Sequence, residues 1–157
     1  MYQTILVPLD RSNRAAQIMP HATSLAQAYG ARIVLLNVVD PNQLLPDRLL
    51  DSGLQQAVTP DMVSSLTREA LDYLEAQRKA LQADGIETII EVRSGPVVQA
   101  ICLVAEEYGA DLVAIASHGR TGLSHAFYGS VAAGIMHQLQ RPLLLVRAQF
   151  ESADEAA

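Results

Sequence analysis

The sequence predicts an α/β fold: a five-stranded parallel sheet with helices on both faces, Rossmann-like, with strand order 3-2-1-4-5. Three observations predict the parallel sheet and its two helix layers. Short apolar runs alternate with segments of helical periodicity in the order β-α-β-α-β-α-β-α-β, and such alternation builds a parallel sheet through right-handed crossovers. The runs are apolar on both faces, as strands between two helix layers must be. Glycines and helix-capping residues punctuate the joins.

Each element has its own signal. Thr4 to Leu9 (TILVPL) is a β-branched, apolar run and reads as the first buried strand. Asp10-Arg11-Ser12-Asn13 breaks it with turn and N-cap chemistry. From Arg14 to Tyr29 the apolar residues Ala15, Ile18, Met19, Ala22, Leu25, Ala26 and Tyr29 have helical spacing, Gly30 is the stop, and Pro20 predicts a kink. Arg32 to Val39 is the second strand. Asp40 to Pro60, with three prolines and a glycine, reads as a packed flap rich in leucine.

Thr59-Pro60-Asp61 looks like N-cap, first helical position and first-turn acid of a long amphipathic helix, with Val63, Leu66, Ala70, Leu74 and Leu81 on one stripe. Gly85 ends it and Glu87 to Val92 is the third strand. Gly95-Pro96 opens a helix whose inward face carries Val97, Ile101, Val104 and Ala105, and Gly109 closes it. Asp111 to Ala116 is strand four, Gly129 to Leu139 the last helix, and Leu143 to Val146 strand five. Residues 1–147 read as one domain; 148–157 form an acidic, alanine-rich tail expected to be frayed.

Composition narrows the function. The chain has 157 residues, half of them apolar, and a net charge of −6. Lys79 is its single lysine. That argues against nucleic acid and against an anionic membrane surface, both of which need clustered cations. No apolar run approaches the roughly 18 residues of a spanning helix and no leader precedes the first strand, so the cytoplasm is the expected compartment. Cys102, the lone cysteine, excludes an internal disulfide and a thiolate zinc cluster, and is expected to be a small core residue.

In open parallel sheets, ligands bind beyond the carboxyl ends of the strands where the strand order reverses. Those ends are Asp10, Val38 to Asp40, and Ser117 to Gly119. Strand four runs into a glycine-rich loop, Ser117 to Gly122, and nine residues separate Gly119 from Gly129-Ser130 at a helix start. Glycines admit close approach of a ligand, and a helix start offers free amides and a hydroxyl, so the segment predicts anion binding. Asp10 reads either as a metal or ribose ligand or as a turn acid capping the next helix. Arg11, Arg14 and Arg120 read either as triphosphate contacts or as solvated loop residues.

Other chemistries fit less well. Ser117, His118 and Asp10 lack the Gly-x-Ser-x-Gly elbow of a hydrolase triad, since Ile115 occupies the first glycine's place. His118 and His125 have no third ligand for zinc, and His21 and His137 read as helix-surface or partly buried residues. There is no Gly-Lys pair of a Walker loop and no receiver-type lysine. Strand five, last in the order, is an apolar edge that invites a second chain.

Ala116-Ser117-His118-Gly119, nine residues, then Gly129-Ser130 resembles the glycine signature of the universal stress protein family, with Ala116 in place of its first glycine. Ile5 to Ser12, Gly30 to Asp40 and Arg141 to Arg147 are similar to that family's first, second and last strands. The resemblance implies ATP or AMP as ligand, with Mg2+ accompanying ATP, and a homodimer through Leu143–Val146. It implies roles for Pro8 and Asp10 beside ribose and metal, and for the Val38 backbone at the adenine edge. It implies further contacts from Ala116, Ser117, His118, Gly119, Arg120, Gly129, Ser130 and Val131 around the ribose and phosphates, with the Ala116 methyl beside the ribose. A regulatory stress-response role follows, with at most slow hydrolysis, since no general base for water is evident. The competing expectations are a dimeric interaction module of the same fold without nucleotide, its flap serving partners, and a small α/β hydrolase.

Overall fold

The computed structural model describes residues 1–41, 59–117 and 129–148. Five parallel strands form one sheet: β1 (Thr4–Pro8), β2 (Arg32–Val39), β3 (Thr88–Ser94), β4 (Leu112–Ser117) and β5 (Leu143–Arg147). Their order is β3-β2-β1-β4-β5, as expected. The helices among the described residues are α1 (Asn13–Ala16), α2 (Met19–Tyr29), α3 (Pro60–Ala83), α4 (Val97–Glu107) and α5 (Ser130–Gln138).

The strands separate two apolar layers because alternate side chains point to opposite faces. Ile5 and Val7 of β1, Ile33 and Leu35 of β2, and Leu112 and Ala114 of β4 pack with Ala22 and Ala26 of α2 and with Leu74 and Leu81 of α3. Leu6, Val34, Leu36, Val113 and Ile115 pack on the other face with Ile101, Val104 and Ala105 of α4 and with Ala132 and Ile135 of α5. Fully buried Leu, Ile and Val side chains contribute about 1.5–3 kcal/mol each, so these two layers dominate the fold.

The helix expected to be continuous from Arg14 to Tyr29 is two helices. Pro20 does not kink it; the chain breaks after Ala16, and Pro20 falls in the first turn of α2. A proline there lacks only an N–H that has no intrahelical partner anyway. Gly30, with φ 64, ends α2 in the left-handed cap its sequence signals. Thr59 caps α3, its Oγ1 accepting from Met62 N at 3.3 Å, with Pro60 and Asp61 in the first turn as expected.

Strand ends shift by one or two residues. β1 stops at Pro8, β3 runs to Ser94, and β4 runs to Ser117, one residue into the expected loop. Cys102 is half-buried rather than a core residue, with burial first and Glu106 second raising its thiol above the ordinary 9.0. No helix among the described residues is long and apolar enough to cross a membrane.

Candidate functional site

The carboxyl edge of the sheet opens at the reversal of strand order. β1 pairs with β2 over five residues, from Thr4–Arg32 to Pro8–Leu36. With β4 it pairs only at Ile5–Leu112 and Leu6–Val113. β4 continues to Ser117 beside β5, pairing Ala116 with Val146 and Ser117 with Arg147. The wall made by β1 and the wall made by β4 are therefore stitched together at one end only, and Pro8 has no N–H to extend the seam.

Beyond Pro8 the chain is pinned to β2. Leu9 N donates to Leu36 O at 2.7 Å, and the buried Asn37 donates through Nδ2 to Leu9 O at 2.6 Å. Asn37 is the polar interruption in the apolar run from Ile33 to Val39, and that interruption is the sequence signal for this role. A buried carbonyl left without such a donor costs about 1–3 kcal/mol.

Asp10 follows on the exposed edge, its Oδ1 accepting from Ser12 N at 2.9 Å. The helix cap is Ser12, whose Oγ accepts from Ala15 N at 3.0 Å; Asp10 makes the turn that leads to it. Between them Arg11 adopts φ 68, the sole positive φ at a non-glycine residue among those described. Its Nη1 reaches Glu69 Oε2 of α3 at 2.7 Å. The left-handed conformation costs an L-residue about 1–2 kcal/mol, while an exposed ion pair returns about 0.2–1 kcal/mol. Stability alone does not account for an arginine here. One turn along α3 from Glu69, Tyr73 has its phenol raised above the ordinary 10.0 by burial first and by the Asp10 carboxylate second.

Val38 is half-buried on β2, in register with Arg93 of β3. Arg93 is itself held by Glu91 and Glu107, with its Nη2 at 2.5 Å and 2.6 Å from their carboxylates. Ala116 sits inside β4 with its side chain packed against the layer formed by α2 and α3. Its backbone is that of an ordinary strand, so the missing glycine is not needed for a positive φ here. Ser117 is buried, and its carbonyl accepts from Ala148 N at 3.1 Å.

Across the crevice, α5 starts at the carboxyl edge because it runs antiparallel to the strands. Gly129 is its N-cap, at φ 75 and ψ 154, and among the described residues no side chain caps this helix. That conformation belongs essentially to glycine. Ala133 N donates to Gly129 O at 3.0 Å. Ser130 is exposed, while Val131 packs against the layer of α4. A helix start without a side-chain cap carries partial positive charge and amides directed outward, which suits an anion.

His118, Gly119 and Arg120 lie outside the described residues, as do the flap from 42 to 58, His125 and the tail from 149 to 157. His21 and His137 are exposed on helices, as expected. Among the described residues no group of three or more His, Cys, Asp or Glu could hold a metal. A cavity of about 380 Å³ between α2 and α3, lined in part by Met19, Thr23, Gln77 and Asp84, contains none of the expected site residues. Sequence reasoning overlooked Asn37, Glu69 and Tyr73. Tyr73 follows Glu69 by one helical turn, and only the tertiary placement of α3 brings both to the loop after β1.

Comparison with known proteins returns one family. The model of the universal stress protein family matches residues 1–147. Universal stress protein MJ0577 of Methanocaldococcus jannaschii is 26% identical over 94% of this chain and 96% of its own. A solved structure of MJ0577 superposes with a TM-score of 0.77 at 25% identity, covering 96% of this chain and 99% of that one. Universal stress protein Sll1654 of Synechocystis is 30% identical over 93% of this chain and 86% of its own. Two further structures share the fold: a universal stress protein in complex with cAMP, with TM-score 0.60 at 24% identity over 94% and 98% of the chains. The other is the universal stress protein from Archaeoglobus fulgidus in complex with dAMP, with TM-score 0.63 at 17% identity over 93% and 98%.

Proposed function

This chain belongs to the universal stress protein family, and from that premise we propose that it is a regulatory protein that binds an adenine nucleotide, ATP or AMP, in the crevice between β1 and β4. The observation that carries the reading is Gly129: a glycine-only conformation at a helix start that no described side chain caps, beside strands whose pairing stops halfway. The complexes of other family structures with cAMP and dAMP, both adenine mononucleotides, support it.

In this reading the Val38 backbone meets the adenine edge, and Pro8 and Asp10 face the ribose. Ala116, Ser117, His118, Gly119 and Arg120 line the loop, and the Gly129, Ser130 and Val131 amides receive phosphate oxygens. Mg2+ would be held by Asp10 together with phosphate oxygens, the usual arrangement for this ion. A bound metal would neutralise phosphate charge.

Titration calorimetry with ATP and AMP, with and without magnesium, tests the proposal. We expect binding in the micromolar range, about −8 kcal/mol; absence of heat with both nucleotides overturns it. The outer edge of β5, Leu143–Val146, is the proposed homodimer contact, and sedimentation at twice the chain mass is the expected result. The competing reading, an interaction module that has lost its ligand, is weakened by Ala116, whose methyl packs into the core layer of α2 and α3.

A further inference from the structure

We propose that Arg11 and Glu69 are a positioning pair, holding the loop that presents Asp10 so that α3 and the nucleotide crevice respond together. The inference rests on the nucleotide reading above and adds residues to it. Asp10 owes its orientation to the turn closed by Ser12 N, and within that turn Arg11 lies at φ 68. Glycine would take this conformation without strain, so the backbone does not explain arginine. The side chain does: it spans from the loop to α3 and meets Glu69 at 2.7 Å.

Residues four apart lie on one face of a helix, so Tyr73, whose phenol feels the Asp10 carboxylate, shares the face of α3 that carries Glu69. The opposite side of the loop is fixed by Asn37 through Leu9 O. The loop that carries Asp10 is thus tied to β2 through Leu9 O and to α3 through the Arg11–Glu69 pair. A ligand that contacts Asp10 changes the load on Arg11, and through Glu69 on α3.

The test measures affinity and melting temperature separately. Wild type, Arg11→Lys, Arg11→Met, Arg11→Gly and Glu69→Gln are each titrated with AMP and with ATP. Arg11→Lys keeps the pair and should stay near the wild-type affinity. Arg11→Met and Glu69→Gln should lose about three- to fivefold, the most that an exposed ion pair of up to about 1 kcal/mol can return, for AMP and ATP alike. Arg11→Gly should melt no lower than wild type, since the strain is relieved, and still lose affinity.

Affinities of Arg11→Met and Glu69→Gln within about twofold of wild type, less than 0.5 kcal/mol, overturn the pair's role. So does a loss in Arg11→Met confined to ATP together with a gain in Glu69→Gln, which would make Arg11 a direct phosphate contact. If the wild-type chain binds neither nucleotide, the nucleotide reading itself is overturned and the pair's role with it.

Discussion

Gly129 begins α5 at φ 75 and ψ 154, a region where any Cβ meets the flanking peptide. Gly129→Ala is expected to cost about 1–3 kcal/mol of stability, the range for forcing a side chain into such a conformation, and to abolish nucleotide heat. Urea denaturation and calorimetry on the same sample read both. Ala116 is the opposite case. Its strand backbone and its contact with the first core layer mean that restoring the family's glycine adds freedom without opening a needed conformation. Ala116→Gly should destabilise by about 0.5–1 kcal/mol and leave AMP affinity within about twofold of wild type; a large gain in affinity would show that the methyl group obstructs the ribose.

At the scale of elements, α5 is placed by its approach to α4. A Cβ on Gly134 would lie 2.7 Å from Val98 Cγ2 and 3.3 Å from Cγ1, so the two helices touch through a bare backbone. Valine is stiff at χ1 and gives way poorly. Gly134→Ala gains about 1 kcal/mol of helix propensity but incurs overpacking of about 1–3 kcal/mol. A net loss of about 1 kcal/mol is expected, recovered in the Gly134→Ala, Val98→Ala double variant. Chemical denaturation of the two single variants and the double variant checks it.

Elements of this kind were largely legible. β2 and the capped start of α3 were read directly because local chemistry, a β-branched run or a Thr-Pro-Asp triplet, decides them. The break at Ala16 was not, because helical spacing persists across Pro20 and only backbone geometry separates a kink from a gap. The candidate site is marked in the sequence by glycine and turn residues, at Asp10 and Gly129. Its supports are not: Glu69 and Tyr73 lie more than fifty residues from Asp10 in sequence, and only the packing of α3 brings them near. Asn37 was a visible exception in an apolar strand whose partner, a carbonyl, leaves no mark in the sequence.

For the molecule as a whole, alkaline pH is the informative variable. Tyr73, Cys102 and Tyr108 all titrate above their ordinary values, burial being the first cause in each, with carboxylates such as Asp10, Glu106 and Glu91 adding to it. Each group holds its proton in the fold at a pH where the unfolded chain has released it. Stability is therefore fully present below the unfolded values and falls as pH rises, because the unfolded state then binds fewer protons. The decline begins above the thiol's 9.0 and steepens above the phenols' 10.0. Urea midpoints measured at about pH 8 and about pH 10.5 should differ, and Tyr73→Phe should reduce the difference.

The short seam between β1 and β4 has a consequence for the polypeptide itself. β1, β2 and β3 come from residues before Gly95, and β4 and β5 from residues after it. Within the sheet, two residue pairs join these halves. A molecule lodged across the seam would bind one end of the gene product to the other, acting as a rivet between two sub-sheets that the chain makes one after the other.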